Sequence, residues 1–106
     1  MKDEVLVIED GVLKDCTDNS ITSVVIPDSV KKIGVRAFEN CYNLESVEIP
    51  PSVKKIGEGA FAWCKSLSSV EFGGTVAQWQ SVEKGDKWND NIPAKLVKCS
   101  DGKARL

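Results

Sequence analysis

The chain has 106 residues, 42% hydrophobic and 28% charged, with a formal net charge of −2. That balance fits one small domain burying roughly two-thirds of its extended surface, and it excludes a broad electrostatic field for nucleic acid or an anionic membrane. No histidine is present, which removes a Ser-His-Asp triad, a Cys-His pair and every histidine-ligated metal site.

Met1 to Glu4 lacks the apolar stretch of a signal peptide, and no apolar run approaches the length of a membrane span. Val5 to Ile8 reads as a short strand, and Asp10-Gly11 as the turn of a hairpin that closes at Leu13. Cys16 to Ser20 is a polar turn. Residues 1–20 are therefore expected to form an N-terminal cap, because the first unit of a stack would otherwise show a bare core and a strand edge.

From Ile26 the chain writes one sentence twice. Residues 26–48 and 49–71 agree at 15 of 23 aligned positions. A fixed period of this size signals stacked units that share a core none could bury alone. The kept positions are mainly apolar or small: Val30/Val53, Ile33/Ile56, Ala37/Ala60, Phe38/Phe61, Cys41/Cys64, Leu44/Leu67 and Val47/Val70. These columns point inward. Most of the variable positions between them are polar and face water.

Each unit ends in the alternation of a half-buried strand. Val47, Ile49, Val70 and Phe72 point in, and Ser46, Glu48, Ser69 and Glu71 point out. Ile21, Val24 and Ile26 lie one period earlier and predict a third strand in a short parallel sheet. Pro27 and Pro50-Pro51 end these strands, since proline cannot donate to a ladder. Val30 to Ile33 reads as a second extended segment on the opposite wall. Gly34 and Gly57 then turn the chain into Arg36–Cys41 and Gly59–Cys64, each expected to make one helical or 3₁₀ turn.

The period stops at Gly73-Gly74. Thr75 to Gln78 is a capping box. It opens a helix expected to run through Lys84 with Gly85 as its stop, and Trp79 is expected over the Phe61, Leu67 and Val70 end of the core. Asp86 to Asn91 reads as loop. Leu96 to Cys99 and Lys103 to Leu106 flank Ser100-Asp-Gly102 and predict a closing hairpin. Residues 73–106 are thus expected to be a lid.

The Ile-Pro-x-Ser-Val-Lys-Lys-Ile-Gly-x-x-Ala-Phe-x-x-Cys-x-x-Leu-x-x-Val pattern resembles the BspA-type leucine-rich repeats, directly over about Leu13 to Phe72. Thr75 to Trp79, Lys84 to Trp88 and Cys99 to Gly102 resemble the ending such arrays often carry. The resemblance implies an α/β fold: a short leucine-rich-repeat solenoid of parallel strands in about three coils. A β-hairpin would cap it at the N-terminus and a helix plus hairpin at the C-terminus, with residues 21–72 as repeats. It also implies a non-catalytic protein-binding or adhesion module at the surface of a bacterial cell or secreted from it, with a protein ligand outside the cell; a cytoplasmic location is the alternative. A structural fragment of a longer array, without a ligand of its own, is the alternative reading.

Candidate chemistry is sparse. Cys16, Cys41, Cys64 and Cys99 have no Cys-x-x-Cys spacing, so no metal and no cofactor is expected. Cys41 and Cys64 stand one repeat apart, as two buried thiols or as a bridgeable pair. Cys16 and Cys99 fall in opposite caps. Ser23, Val25, Glu45, Ser46, Glu48, Ser69 and Glu71 cover the outer side of the parallel sheet and form the first candidate docking face for a partner. Lys31, Lys32, Lys54 and Lys55 make a lysine ladder on the other wall, read as a solvated face or as contact for an anionic partner. Trp63 replaces Asn40 at an outward position, suited to an interface or to packing against the lid. A monomer is expected.

Overall fold

The chain winds into about four turns of a solenoid in which each segment pairs with its copy one turn later. The computed structural model describes residues 6–16 and 20–106. The expected hairpin is β1 (Leu6–Glu9) and β2 (Val12–Cys16), joined by Asp10 and Gly11 at φ 52° and 79°. Both residues are left-handed, as a tight hairpin turn requires. Val5 and residues 17–19, which the sequence reading placed in the first strand and the polar turn, lie outside the described residues.

Three parallel strands carry the repeat: β3 (Ser23–Val25), β5 (Ser46–Ile49) and β7 (Ser69–Phe72). Their register is the predicted one, Val24 beside Val47 and Val47 beside Val70. The opposite wall is built from β4 (Lys32–Ile33) and β6 (Lys55–Ile56), with β2 joining it in parallel through Leu13 and Ile33. The hairpin therefore caps the stack and also supplies its first rung. Leu13, Val30, Ile33, Phe38, Leu44, Val53, Ile56, Phe61 and Leu67 are wholly buried. Phe38 and Phe61 stack with ring centroids 4.9 Å apart and planes 4° from parallel.

The segments after Gly34 and Gly57 are not helical. Amides of Ala37, Glu39 and Cys41 bond the carbonyl three residues back, while those of Arg36, Phe38 and Asn40 bond Glu58, Ala60 and Ala62 of the next turn. A helix would use every amide within itself; here half of them form a third ladder. The alternation is kept by left-handed residues at two repeated places, Arg36, Gly59 and Lys87 (φ 59°, 63° and 55°) and Asn40, Trp63 and Asn91 (φ 66°, 66° and 61°).

The tail continues the winding. The capping box at Thr75 is present, with Gln78 N–H donating to Thr75 Oγ1 at 3.1 Å and Thr75 N–H to Gln78 Oε1 at 2.8 Å. But α1 covers only Val76–Ser81. It ends early because β8 (Glu83–Lys84) is drawn into the small sheet beside Lys55 and Ile56. Gly85 is accordingly a corner glycine like Gly34 and Gly57, not a helix stop. Residues 86–91 make the third-wall turn of a further coil, and β9 (Leu96–Cys99) adds a fourth parallel rung beside β7 before β10 (Gly102–Arg105) closes the hairpin. Trp79 packs on Phe72 and Trp88 at 5.3 and 5.8 Å, and it is Trp88 that meets Phe61, at 6.2 Å.

Candidate functional site

The two sheets order their strands β1-β2-β4-β6-β8 and β10-β9-β7-β5-β3. The larger parallel face turns a continuous set of side chains outward. Ser23, Ser46 and Ser69 form one row across it, and Val25, Glu48 and Glu71 the next. Val25 is 65% exposed, Glu48 and Glu71 are exposed, and Ser46 and Ser69 are half-buried. Glu45 is exposed just before β5. All seven strand-face candidates thus come together. At the C-terminal end of these strands, Val25, Asp28, Glu48, Pro51 and Glu71 line a depression of about 210 Å³.

Sequence reasoning missed Asp28, which follows the strand-ending Pro27 where the next copy has Pro51. It also missed the basic end of the face. Glu71 stands in register with Lys98, and Lys98 with Lys103. Lys95, Lys98 and Lys103 border a second depression, of about 360 Å³, with Ser68, Ser69 and Leu96.

The lysine ladder lies on the small sheet, on a different wall. Lys32 pairs with Lys55, and Lys31 and Lys54 precede them. The ladder meets a carboxylate at its end, where Lys55 is in register with Glu83. One rung further inward, Lys84 takes the place of Ile33 and Ile56. Its Nζ donates to the carbonyls of Trp79 at 2.9 Å and Val82 at 3.0 Å and sits 4.4 Å from the centre of the Trp79 ring, while burial lowers its pKa.

Trp63 is on the third wall, 41% exposed. Lys65 Nζ lies 5.5 Å from its ring centre and 5.9 Å from that of Tyr42. The strand face, the lysine ladder and Trp63 therefore belong to three separate surfaces.

The cysteines line the interior. All four are buried thiols, and Cys64 Sγ donates to the Phe38 carbonyl at 3.0 Å. Hydrogen bonding with Cys64, reinforced by burial, pushes the Cys41 thiol well up. Among the described residues, no group of three or more histidine, cysteine, aspartate or glutamate side chains is placed to hold a metal ion.

Ladders on every wall, an apolar interior and outward rows of changeable residues define a leucine-rich-repeat solenoid, a scaffold class that generally presents surface for protein contacts. The family described as "BspA type Leucine rich repeat region (6 copies)" matches residues 1–82, and the chain belongs to it. A leucine rich cell surface protein from Faecalibacterium prausnitzii A2-165 is similar in structure, with TM-score 0.60 and 37% identity over 63% of this chain and 18% of that one. The T. pallidum Leucine Rich Repeat protein is similar with TM-score 0.53 and 25% identity, over 59% of this chain and 35% of that one. The likeness therefore spans well under two thirds of either protein's length. No curated protein matches the chain. Among the described residues, no helix is long and apolar enough to cross a membrane.

Proposed function

We propose that this chain is a non-catalytic protein-interaction module displayed at a bacterial cell surface, and that it docks a protein ligand on the outer face of its larger sheet. The observation that carries the reading is the row Val25, Glu48, Glu71, held side by side by strand register and exposed to solvent. A rigid ladder fixes these side chains at about 4.8 Å spacing, so docking orders little that is not already ordered. Family membership supports an interaction role, and the cell-surface relative supports the location.

The test is capture against an array of purified host extracellular proteins, comparing wild type with Glu48→Lys/Glu71→Lys. Circular dichroism establishes that the variant keeps its fold. Loss of a specific capture with the fold retained supports the strand face. Equal capture by both proteins removes that face, and Trp63→Ala and Lys32→Glu/Lys55→Glu then show which other wall binds.

A further inference from the structure

Resting on the strand face as the docking surface, we propose that one of its partners is a second copy of this chain. Read across the sheet, one outward row runs Glu48, Glu71, Lys98, Lys103 on β5, β7, β9 and β10. All four are exposed. Two acids followed by two bases, evenly spaced, is a pattern that pairs with its own reversal.

A two-fold axis lying in the plane of the face, parallel to the strands and midway between β7 and β9, performs that reversal. It sets Glu71 of each copy over Lys98 of the other, and Glu48 over Lys103. The contact is isologous, the same patch used twice, as closed two-fold dimers require. The neighbouring row does not oppose it. There Leu96 precedes Val97 as Ser69 precedes Val70, and Arg105 pairs with Leu96. The same rotation places Leu96 over Ser69 and Arg105 over Ser46, with no like charges meeting.

The charges are not consumed within the chain. Glu48 and Lys103 sit three strands apart, about 14 Å, beyond ion-pair reach. Glu71 and Lys98 are on adjacent strands, yet among the described residues the ion pairs are Lys14–Glu9 and Arg36–Glu39, and neither residue takes part. A face about 20 Å wide buries less than the roughly 1,000 Å² of a stable complex. The dimer is therefore weak, and salt loosens it because the pairs form at an exposed surface.

Sedimentation equilibrium up to about 1 mM protein tests this, at low salt where screening reaches about 30 Å and near 1 M where it falls to about 3 Å. Wild type is expected to associate to dimers at low salt and to lose them at high salt. Glu48→Lys/Glu71→Lys leaves four bases in the row, and Lys98→Glu/Lys103→Glu leaves four acids. Each alone is expected to be monomeric, and the two mixed are expected to form a mixed dimer. The fourfold exchange restores a self-complementary row at the original net charge of −2 and is expected to recover the dimer. A monomeric wild type at low salt, or self-association of either half-exchanged chain as strong as wild type, overturns the proposal. If wild type is monomeric while Glu48→Lys/Glu71→Lys still abolishes capture of an extracellular protein, the docking face stands and only the self-pairing falls.

Discussion

The Phe61 amide donates to the Trp88 carbonyl at 2.7 Å, the bond that one turn earlier joins the Phe38 amide to the Ala60 carbonyl. Trp88 therefore occupies, in backbone terms, the place of a small alanine. Gly59 and Trp63 repeat the relation with Asp86 and Asp90. The tail is another turn of the same ladder, rebuilt with larger side chains around the inserted α1, and its β9 and β10 carry the bases that complete the outward row.

The corners where the small sheet turns admit no side chain. A Cβ on Gly57 would lie 2.7 Å from the Val35 nitrogen and 2.8 Å from the Gly34 carbonyl carbon. These are backbone atoms fixed by two ladders and cannot step aside. Gly57→Ala is expected to cost about 2–3 kcal/mol, measured as a lowered urea midpoint with unchanged slope. A loss below about 0.5 kcal/mol would show that the turns can separate locally.

Trp63 holds a left-handed backbone at φ 66° where the turns on either side use asparagine. Asparagine visits this region readily, and a bulky side chain there is strained by about 1–2 kcal/mol. Trp63→Asn is expected to stabilise the fold by about 1 kcal/mol, raising Tm by about 4–8 °C in a domain near this size. A lower Tm would mean that the Lys65 contact and local packing outweigh the strain.

Lys84 interrupts an isoleucine column, yet its ammonium meets two carbonyls at the end of α1 and the Trp79 ring. Lys84→Ala is expected to lose about 1–2 kcal/mol. Lys84→Met keeps most of the stem without the charge and is expected to recover only part of that. Full recovery by methionine would assign the role to packing alone.

Cys41 keeps its proton in the folded chain because Cys64 and the apolar interior disfavour the thiolate. In the unfolded chain a thiol ionises near about pH 8.5. The folded pKa is the higher one, so the contribution is complete below the unfolded value and is lost as pH rises above it, by up to about 1.4 kcal/mol per unit. Cys41 in turn holds the Cys64 thiol down, and Cys41→Ala alone would let burial raise Cys64. Urea midpoints at rising alkaline pH should therefore fall more steeply for wild type than for Cys41→Ala/Cys64→Ala. Parallel slopes would contradict the assignment.

The two consecutive copies were legible because their inward columns keep the same letters, Phe38 over Phe61 and Leu44 over Leu67. The fourth rung was hidden because its columns change chemistry. Lysine replaces isoleucine at position 84, tryptophan stands where alanine does at 88, and α1 lengthens the spacing. Gly85 and Asn91 were the surviving signals, matching Gly57 as a corner glycine and Asn40 as a left-handed residue. The third wall reads in sequence as one helical or 3₁₀ turn, and the bonds three residues back are there; six residues after a corner glycine show no sign of where the alternate amides bond. The acidic half of the outer face could be read from strand alternation. The basic half could not, since placing Lys98 beside Glu71 requires knowing that the tail is a coil.

Native-state hydrogen exchange of the Gly59, Phe61 and Trp63 amides tests that continuity most directly, because each is bonded to a tail carbonyl. As part of one ladder they should exchange as slowly as Phe38, near the free energy of global unfolding. If they exchange orders of magnitude faster while Phe38 stays protected, residues 86–90 are a loosely laid cover and the stack ends one turn sooner.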